Sequence, residues 1–351
     1  GDISGAVKCT DEAKIMGNSS GLGEVQELKL LIDTSMVTNF QGFFNGCKNL
    51  VTIPEIDTSK GTNFDGMFSG CSALSEIPEL DTLKGINFST MFRYCSSLTS
   101  IPMIDTSNGE DFSYMFGDCA LLQTIPQLNT SNGVNFKGMF DDCDSLLTIP
   151  LINTSKATDI DNMFYSCDKL QTIPQLDTSN VSRAYRTFYQ CNKLKNVGDF
   201  DFRKTTALIG TFDYCYGLEE IGILNTQGIQ KFVGIFGSCR SMVKIGGVNF
   251  SERGDSSNSL FDDSGNRSGV PNLCDITFIG TLNQYSGLYD LYKLPKMNAA
   301  SVDSMVQALI DYAGDTAKTL YLSTYVIENL TEEQTATIVA KNWTVTQKSV
   351  S

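Results

Sequence analysis

The chain of 351 residues has no histidine, one tryptophan and no apolar run approaching the ~18 residues of a membrane span. Without histidine there is no Ser-His-Asp triad, no imidazole metal ligand and none of the usual proton carriers at neutral pH. Basic residues are scarce as well: 26 Lys and Arg against 40 Asp and Glu leave a net charge of −14. Nucleic acids and anionic membranes are held by clustered Lys and Arg, so neither is an expected partner, and direct membrane insertion is not expected. Close cysteine pairs of the C-x-x-C type that bind zinc are missing, as are an EF-hand calcium loop, a P-loop and a dinucleotide fingerprint. No metal and no cofactor are expected. Paired carboxylates such as Asp141-Asp142, Glu219-Glu220 and Asp262-Asp263 are what an acidic surface yields by chance, and the sequence reads as non-enzymatic.

What is present is a repeat. NFKGMFDDCDSLLTIPLINTS, residues 135–155, follows DFSYMFGDCALLQTIPQLNTS and NFSTMFRYCSSLTSIPMIDTS at steps of 24 residues. Nine cysteines, Cys47, Cys71, Cys95, Cys119, Cys143, Cys167, Cys191, Cys215 and Cys239, keep that step without an insertion. A phenylalanine stands three residues before each, from Phe44 to Phe236, and Leu50 through Leu218, then Met242, three after. A period of about 20–29 residues is that of leucine-rich repeats, in which each unit buries its apolar face only against its neighbours. Nine such coils, ~4.8 Å apart, would span ~43 Å.

Within a coil, F-x-x-M-F-x-x-C-x-x-L has helical spacing. Asn39, Asn63, Asn87, Asp111, Asn135 and Asp159 stand where an N-cap belongs. One or two turns of helix are therefore expected. L-x-x-I-P-x-[IL] predicts a short strand opposite, such as Leu98 to Ile104. Its prolines, Pro54 to Pro174, cannot donate to a ladder, so the strand must be very short or bulged. The D/N-T-S that follows is turn chemistry. Stacked cysteines have parallel side chains ~4.8 Å apart, which a disulfide does not tolerate, so the column is expected to be buried free thiols. Cys9 and Cys274 lie outside it and read as structural too.

The unit M-F-x-x-C-x-x-L-x-x-I-P-x-L-D-T-S resembles the BspA-type leucine-rich repeats of bacterial surface proteins and the related repeats of Mycoplasma lipoproteins. The resemblance covers roughly residues 26–250. Residues 301–345 are also similar to the end segment of such proteins from gut Bacteroidetes and their phages. It implies a secreted or cell-surface, non-enzymatic protein of adhesion or recognition. The unit here is shorter and carries Pro inside the strand, so its curvature is expected to differ. The expected architecture is an α/β repeat solenoid, a right-handed leucine-rich-repeat-like coil of 24-residue units with one short strand and one short helix each. Residues 1–25 form a cap or lead-in, 26–250 the solenoid, and 251–351 an irregular loop and longer repeats that make a C-terminal cap. In that cap 251–269 reads as a surface loop. A helix is expected from about Ser301, a strand at Thr319–Leu322, a second helix opened by a Thr331/Gln334 capping box, and a last strand at Trp343–Val345. The chain begins at Gly1 rather than Met, which reads as a mature fragment or a piece whose targeting segment lies outside it.

Function then falls to exposed rows. The row before the buried Ile reads Thr52, Glu76, Ser100, Thr124, Thr148, Thr172, Asn196, Glu220, Lys244. The row after Pro reads Glu55, Glu79, Met103, Gln127, Leu151, Gln175. Both are rich in hydroxyls, amides and carboxylates, suited to a protein or a glycan. A second group is aromatic: Tyr94, Tyr114, Tyr165, Tyr185, Tyr189, Tyr214 and Tyr216. Tyrosine is favoured at interfaces and stacks on sugars. Solvated rows and tyrosines packed over loops are the plainer alternative. Three functions stay open: an adhesin for a host or bacterial surface protein, a carbohydrate-capture module, and a structural part of a cell envelope or phage tail.

Overall fold

A computed structural model describes residues 7–8, 32–249, 270–282, 288–294 and 296–348. The expected lead-in (apart from residues 7–8), Cys9 and the 251–269 loop lie outside these. The chain forms two compact units, Gly1–Pro174 and Gln175–Ser351.

In the first unit, β1 (Val7–Lys8) pairs in parallel with β2 (Ile32–Asp33). The step of 24 residues then becomes physical: Asn39 pairs with Asn63, and so on through Asn87, Asp111 and Asn135 to Asp159, all in parallel. The expected helix does not form. From Phe88 to Cys95 the backbone N–H groups divide into two sets. Those of Phe88, Thr90, Phe92 and Tyr94 donate to Asp111, Ser113, Met115 and Gly117 of the next coil at 2.8–2.9 Å. Those of Met91, Arg93 and Cys95 close turns onto carbonyls three residues back, and Ser89 N–H donates to Asn87 Oδ1 at 2.9 Å. An α-helix would use every N–H within the coil and leave none to join coils. Left-handed residues break it at two fixed places, five and one before each Cys. Thr90 (φ 51°) and Tyr94 (φ 63°) fill them in this coil, and Gly42, Gly46, Gly66 and Gly70 in the first two. The Asn and Asp expected as N-caps do accept the N–H two residues on, but they open a turn.

These turns aim three columns inward. Phe64, Phe88, Phe112 and Phe136 stack with centroids 5.5–5.7 Å apart and planes within 18°. Phe44, Phe68, Phe92, Phe116, Phe140 and Phe164 form a second stack at 5.4–5.7 Å. The buried thiols are free, but they are more than small hydrophobes. Cys71, Cys95, Cys119, Cys143 and Cys167 each donate to the carbonyl of the Phe three residues before the preceding Cys, at 3.0–3.2 Å. Burial pushes the Cys95 thiol up to about 12 and those of Cys119, Cys143 and Cys167 well above the usual range. A further column went unforeseen: Thr34, Thr82, Thr106 and Thr130 are buried and donate to the carbonyls of Asp57, Asp105, Asn129 and Asn153 at 2.7–2.9 Å.

The strand expected at Leu98–Ile104 joins no ladder. Proline explains this, and the second unit supplies the comparison. There Gly198, Gly222 and Gly246 stand where proline stood, and Gly222 N–H donates to Gly198 O at 3.2 Å. A parallel sheet results: β3 (Asn196–Val197) and β4 (Phe200–Asp201) pair with β6 (Glu220–Asn225), which pairs with β8 (Lys244–Asn249), which pairs with β9 (Asp275–Ile279). Between β3 and β4 on one side and β9 on the other lie β5 (Ala207–Ile209) and β7 (Lys231–Val233) in sequence, which pair with each other as a separate two-stranded sheet. Thus β9 continues the sheet after the repeat register ends.

A 3-10 helix (Leu288–Lys293) precedes α1 (Ala299–Ala308), which packs on β9 and buries Val302, Met305 and Val306. β10 (Lys318–Leu322) pairs in parallel with β11 (Trp343–Gln347). α3 (Glu332–Ala340) carries the expected capping box, whereas α2 (Thr324–Glu328), capped by Ser323, was not anticipated. Lys341 Nζ fastens the end of α1, donating to Val306, Gln307 and Leu309 carbonyls at 2.8–3.1 Å.

Two outcomes are expected. Cys71 through Cys167 should react slowly with a thiol reagent in the native protein and rapidly in denaturant; rapid native labelling of several would refute the buried column. Gly42 (φ 60°) has room for a side chain, the nearest atom being Asn45 Cβ at 3.5 Å, so Gly42→Ala tests conformation alone. It should cost about 1–2 kcal/mol by denaturant titration, and Gly42→Asn less, because Asn tolerates this region.

Candidate functional site

The turn and core columns fix what points inward, and leave three sets of side chains outside. In the first unit Glu76, Ser100, Thr124, Thr148 and Thr172 are exposed and Thr52 is half-buried. They form one row at the coil spacing, with Thr148 and Thr172 hydroxyls 3.4 Å apart. Beside it run Glu55, Glu79, Met103, Gln127 and Leu151, with Met103 and Leu151 63% and 65% exposed. Here the structure assigns an unforeseen role. Gln127 Nε2 donates to Leu151 O at 2.5 Å and to Leu128 O at 3.1 Å, so this amide joins two coils. In the second unit Gln175 does more: its Nε2 donates to Asp199 O at 2.6 Å and its Oε1 accepts from Asp199 N–H at 3.0 Å. Gly198 leaves the space for it, since a Cβ there would sit 1.8 Å from Gln175 Oε1. Gln127 and Gln175 thus mimic the ladder bonds that the backbone does not make, and the remaining row residues are the freer ones for a ligand.

The tyrosines sit on the turn face. In the first unit Tyr94 is exposed, and Tyr114 and Tyr165 are half-buried. The Arg93 guanidinium lies over both Tyr94 (4.7 Å) and Tyr114 (4.4 Å), and its Nε is 3.4 Å from Asp118 Oδ2. Tyr114 lies flat on Gly138, where an added Cβ would meet its ring at 2.3 Å. Tyr114 is therefore packed, as the plainer alternative held, while Tyr94 remains open. In the second unit Tyr189, Tyr214 and Tyr216 form a chain of edge-to-face rings.

Next to Arg93 lies a cluster of carboxylates. Burial, then the negative charges of Asp142 and Asp118, push Asp141 up to about 7, against the pull of Arg93. Asp142 and Asp144 are raised for the same leading reason, burial. Among the described residues no group of three or more Cys, Asp or Glu could hold a metal ion, and no helix is long and apolar enough to cross a membrane.

Parallel coils stacked at 24-residue register, with columns of Phe, Leu and Cys inside, define a leucine-rich-repeat-like protein. The chain belongs to the DUF285 family, described as "Mycoplasma protein of unknown function", which it matches over residues 20–124, 75–173, 100–196 and 134–248. No curated protein matches it. Among solved structures it is similar to a Treponema pallidum leucine-rich repeat protein (22% identity, TM-score 0.35, covering 50% of this chain and 79% of that one). It is also similar to a leucine-rich repeat protein from Bacteroides ovatus (14%, 0.33, 88% and 86%). A third is a leucine-rich cell surface protein from Faecalibacterium prausnitzii (18%, 0.35, 80% and 85%).

The raised Asp141 generates a pH prediction. Its folded-state pKa lies above that of an unfolded Asp, about 3.9, so the folded state holds the proton more tightly. The stability this gives is complete below the unfolded value and is lost as pH rises through about 7. Asp57 and Asp105, lowered by Ser59 and Ser107 hydrogen bonds, act only in acid, where their contribution disappears. The melting temperature should therefore fall between about pH 4 and 7, and Asp141→Asn should flatten that fall. Equal slopes for both proteins would rule out Asp141 as its source.

Proposed function

We propose that this chain is a non-enzymatic, BspA-type binding protein, secreted or held at a bacterial cell surface, that recognises an extracellular protein through exposed rows of its coils. The observation that carries the reading is the contrast between columns. Inward positions repeat Phe, Met, Cys and Leu with little change, whereas the adjacent outward row runs Thr52, Glu76, Ser100, Thr124, Thr148, Thr172. Stacking demands the first and leaves the second to be chosen for something else. The rows offer hydroxyls and carboxylates beside the exposed Met103 and Leu151, a mixture of polar and apolar groups that suits a protein surface. Catalysis is not needed to account for any group. Burial makes the Cys95, Cys119, Cys143, Cys167 and Cys239 thiols hard to ionise, and the Asp141 shift follows from burial among like charges.

The test is binding of the purified protein to immobilised extracellular-matrix and bacterial surface proteins at physiological salt. Saturable binding to one of them is expected. Ser100→Tyr with Thr124→Tyr should weaken it about tenfold, roughly 1.4 kcal/mol, at unchanged melting temperature. Binding to none, with concentration-dependent self-assembly instead, would favour a structural part of an envelope or phage tail and overturn the adhesin reading.

A further inference from the structure

We infer that the proline-bearing wall of the first unit is a docking site for a basic amphipathic helix of another protein, laid across the coils from Glu55 to Leu151. The inference rests on the protein-binding reading above and names the element that would be recognised.

An apolar patch is the first observation. Met103, Leu147 and Leu151 are exposed, and Pro102, Pro126 and Pro150, next in sequence to the row of Met103 and Leu151, are half-buried. Between Met103 and Leu151 in that row stands Gln127, whose Nε2 is committed to the Leu128 and Leu151 carbonyls. Other coils carry polar residues in the same columns: Glu55 and Glu79 match Met103 and Leu151, and Ser75 and Gln123 match Leu147. The coil accepts either kind. Large apolar side chains grouped on such a surface mark a contact.

Charge is the second observation. The wall segments 50–57, 74–81, 98–105, 122–129 and 146–153 contain no Lys or Arg. Their six carboxylates, Glu55, Asp57, Glu76, Glu79, Asp81 and Asp105, all fall in the first three segments and all are exposed. Those of Glu55, Glu76 and Glu79 have no cation within ion-pair distance among the described residues. The wall is therefore divided, acidic towards Glu55 and apolar towards Leu151. A second copy of this wall would bring more carboxylates and no cation. The complement is a partner with Lys or Arg at one end of its contact and large apolar residues at the other.

Spacing then selects the partner's conformation. At the Phe column the coils from Phe44 to Phe140 repeat every 5.4–5.7 Å. An α-helix advances about 5.4 Å per turn, so a helix along the stack sets one turn of side chains on each coil. Met103 and Leu151 stand two coils apart, about 11 Å, close to the ~10.5 Å between positions i and i+7 of a helix. An extended strand repeats its face every ~6.7 Å and drifts by more than one residue over the same five coils. Anchors at i, i+3 or i+4, and i+7 are how an amphipathic helix is held. Four coil steps span about 22 Å, the length of ~15 helical residues.

The experiment is fluorescence anisotropy of the whole chain with a labelled 16-residue helical peptide that carries lysines along one half of a face and leucines along the other. A twin of reversed order covers the opposite direction. One of the two should bind saturably, at least tenfold tighter than a version with glutamate for every lysine and than one broken by a central proline. Binding should weaken as salt rises. Met103→Ser with Leu151→Ser, and separately Glu76→Gln with Glu79→Gln, should each cost at least fivefold at unchanged melting temperature. Only the glutamine pair should also flatten the salt dependence. Binding of neither order, equal binding of the proline-broken peptide, or variants that bind normally would overturn the proposal. An immobilised protein that both variants still hold at full strength would leave the protein-binding reading standing and refute this site. Self-association abolished by Met103→Ser with Leu151→Ser would make a second copy the occupant, and would overturn the proposal too.

Discussion

The structure depends on the division of backbone N–H groups between two tasks. In the coils that begin at Phe40, Phe64, Phe88, Phe112 and Phe136, every second donor up to the residue before Cys crosses to the next coil, and the donors between them close turns inside the coil. Neither task alone would suffice. Turns without crossing bonds would leave coils held only by side chains; crossing bonds without turns would give a flat strand that could not bring Phe, Met and Cys to one side. The alternation also sets the distance at which everything else repeats. Phe rings 5.4–5.7 Å apart, thiols bonded to the carbonyl of the coil before, and Thr hydroxyls bonded to the coil after are all consequences of that one register.

Proline and glycine show how closely local chemistry follows from this register. Where proline occupies the wall opposite the turns, the backbone donor is missing and no ladder forms there; where Gly198, Gly222 and Gly246 replace it, a parallel sheet runs from Asn196 to Ile279. The fold tolerates both because the turn side already joins the coils. At Gln127 and Gln175 a side-chain amide takes the place of the missing backbone pair. Bonds omitted from the wall are thus recovered by whatever polar group lies within reach, as burial of backbone polar groups demands.

The repeat length, the inward columns and most of the C-terminal elements were legible in the sequence because each rests on periodicity or on a local motif. Phe44 to Phe236, the thiol column, α1 and the Thr331/Gln334 capping box are of this kind. The helix was misread because F-x-x-M-F-x-x-C-x-x-L places the same residues inward whether the chain coils as α-helix or as successive turns. Spacing records which side chains share a face and is silent about where the N–H groups go. A signal was available: Gly42, Gly46, Gly66 and Gly70 recur inside the supposed helix at fixed places, and glycine repeated there marks positive φ. The buried Thr of D-T-S was hidden for a related reason, since turn chemistry explains Asp and Ser but not a hydroxyl that reaches into the next coil. Of the candidate site, the exposed row from Thr52 to Thr172 was legible. The bracing by Gln127 and Gln175 was not, because it depends on what lies 24 residues away.

A repeat built this way separates stability from recognition more sharply than an ordinary core does. Substituting an outward row leaves the backbone bonds between coils in place, and only members such as Gln127 and Gln175 reach across to the next coil. The left-handed positions behave differently. They lie on the surface, yet their backbone conformation is fixed by the stack, and any residue but glycine weakens the coil that bears it. Asn162, Ser166 and Asp142 carry that penalty lightly, since small polar side chains tolerate the region best; Tyr94, Tyr114, Arg186 and Tyr214 do not. Arg93 stacking on Tyr94 and Tyr114, and Arg186 lying across Tyr185 and Tyr189, return part of the loss as cation–π contact of about 0.5–1 kcal/mol each. Tyr114, packed on Gly138 beneath Arg93, shows that such a residue can brace the coil with its side chain while its backbone takes the conformation glycine adopts without strain.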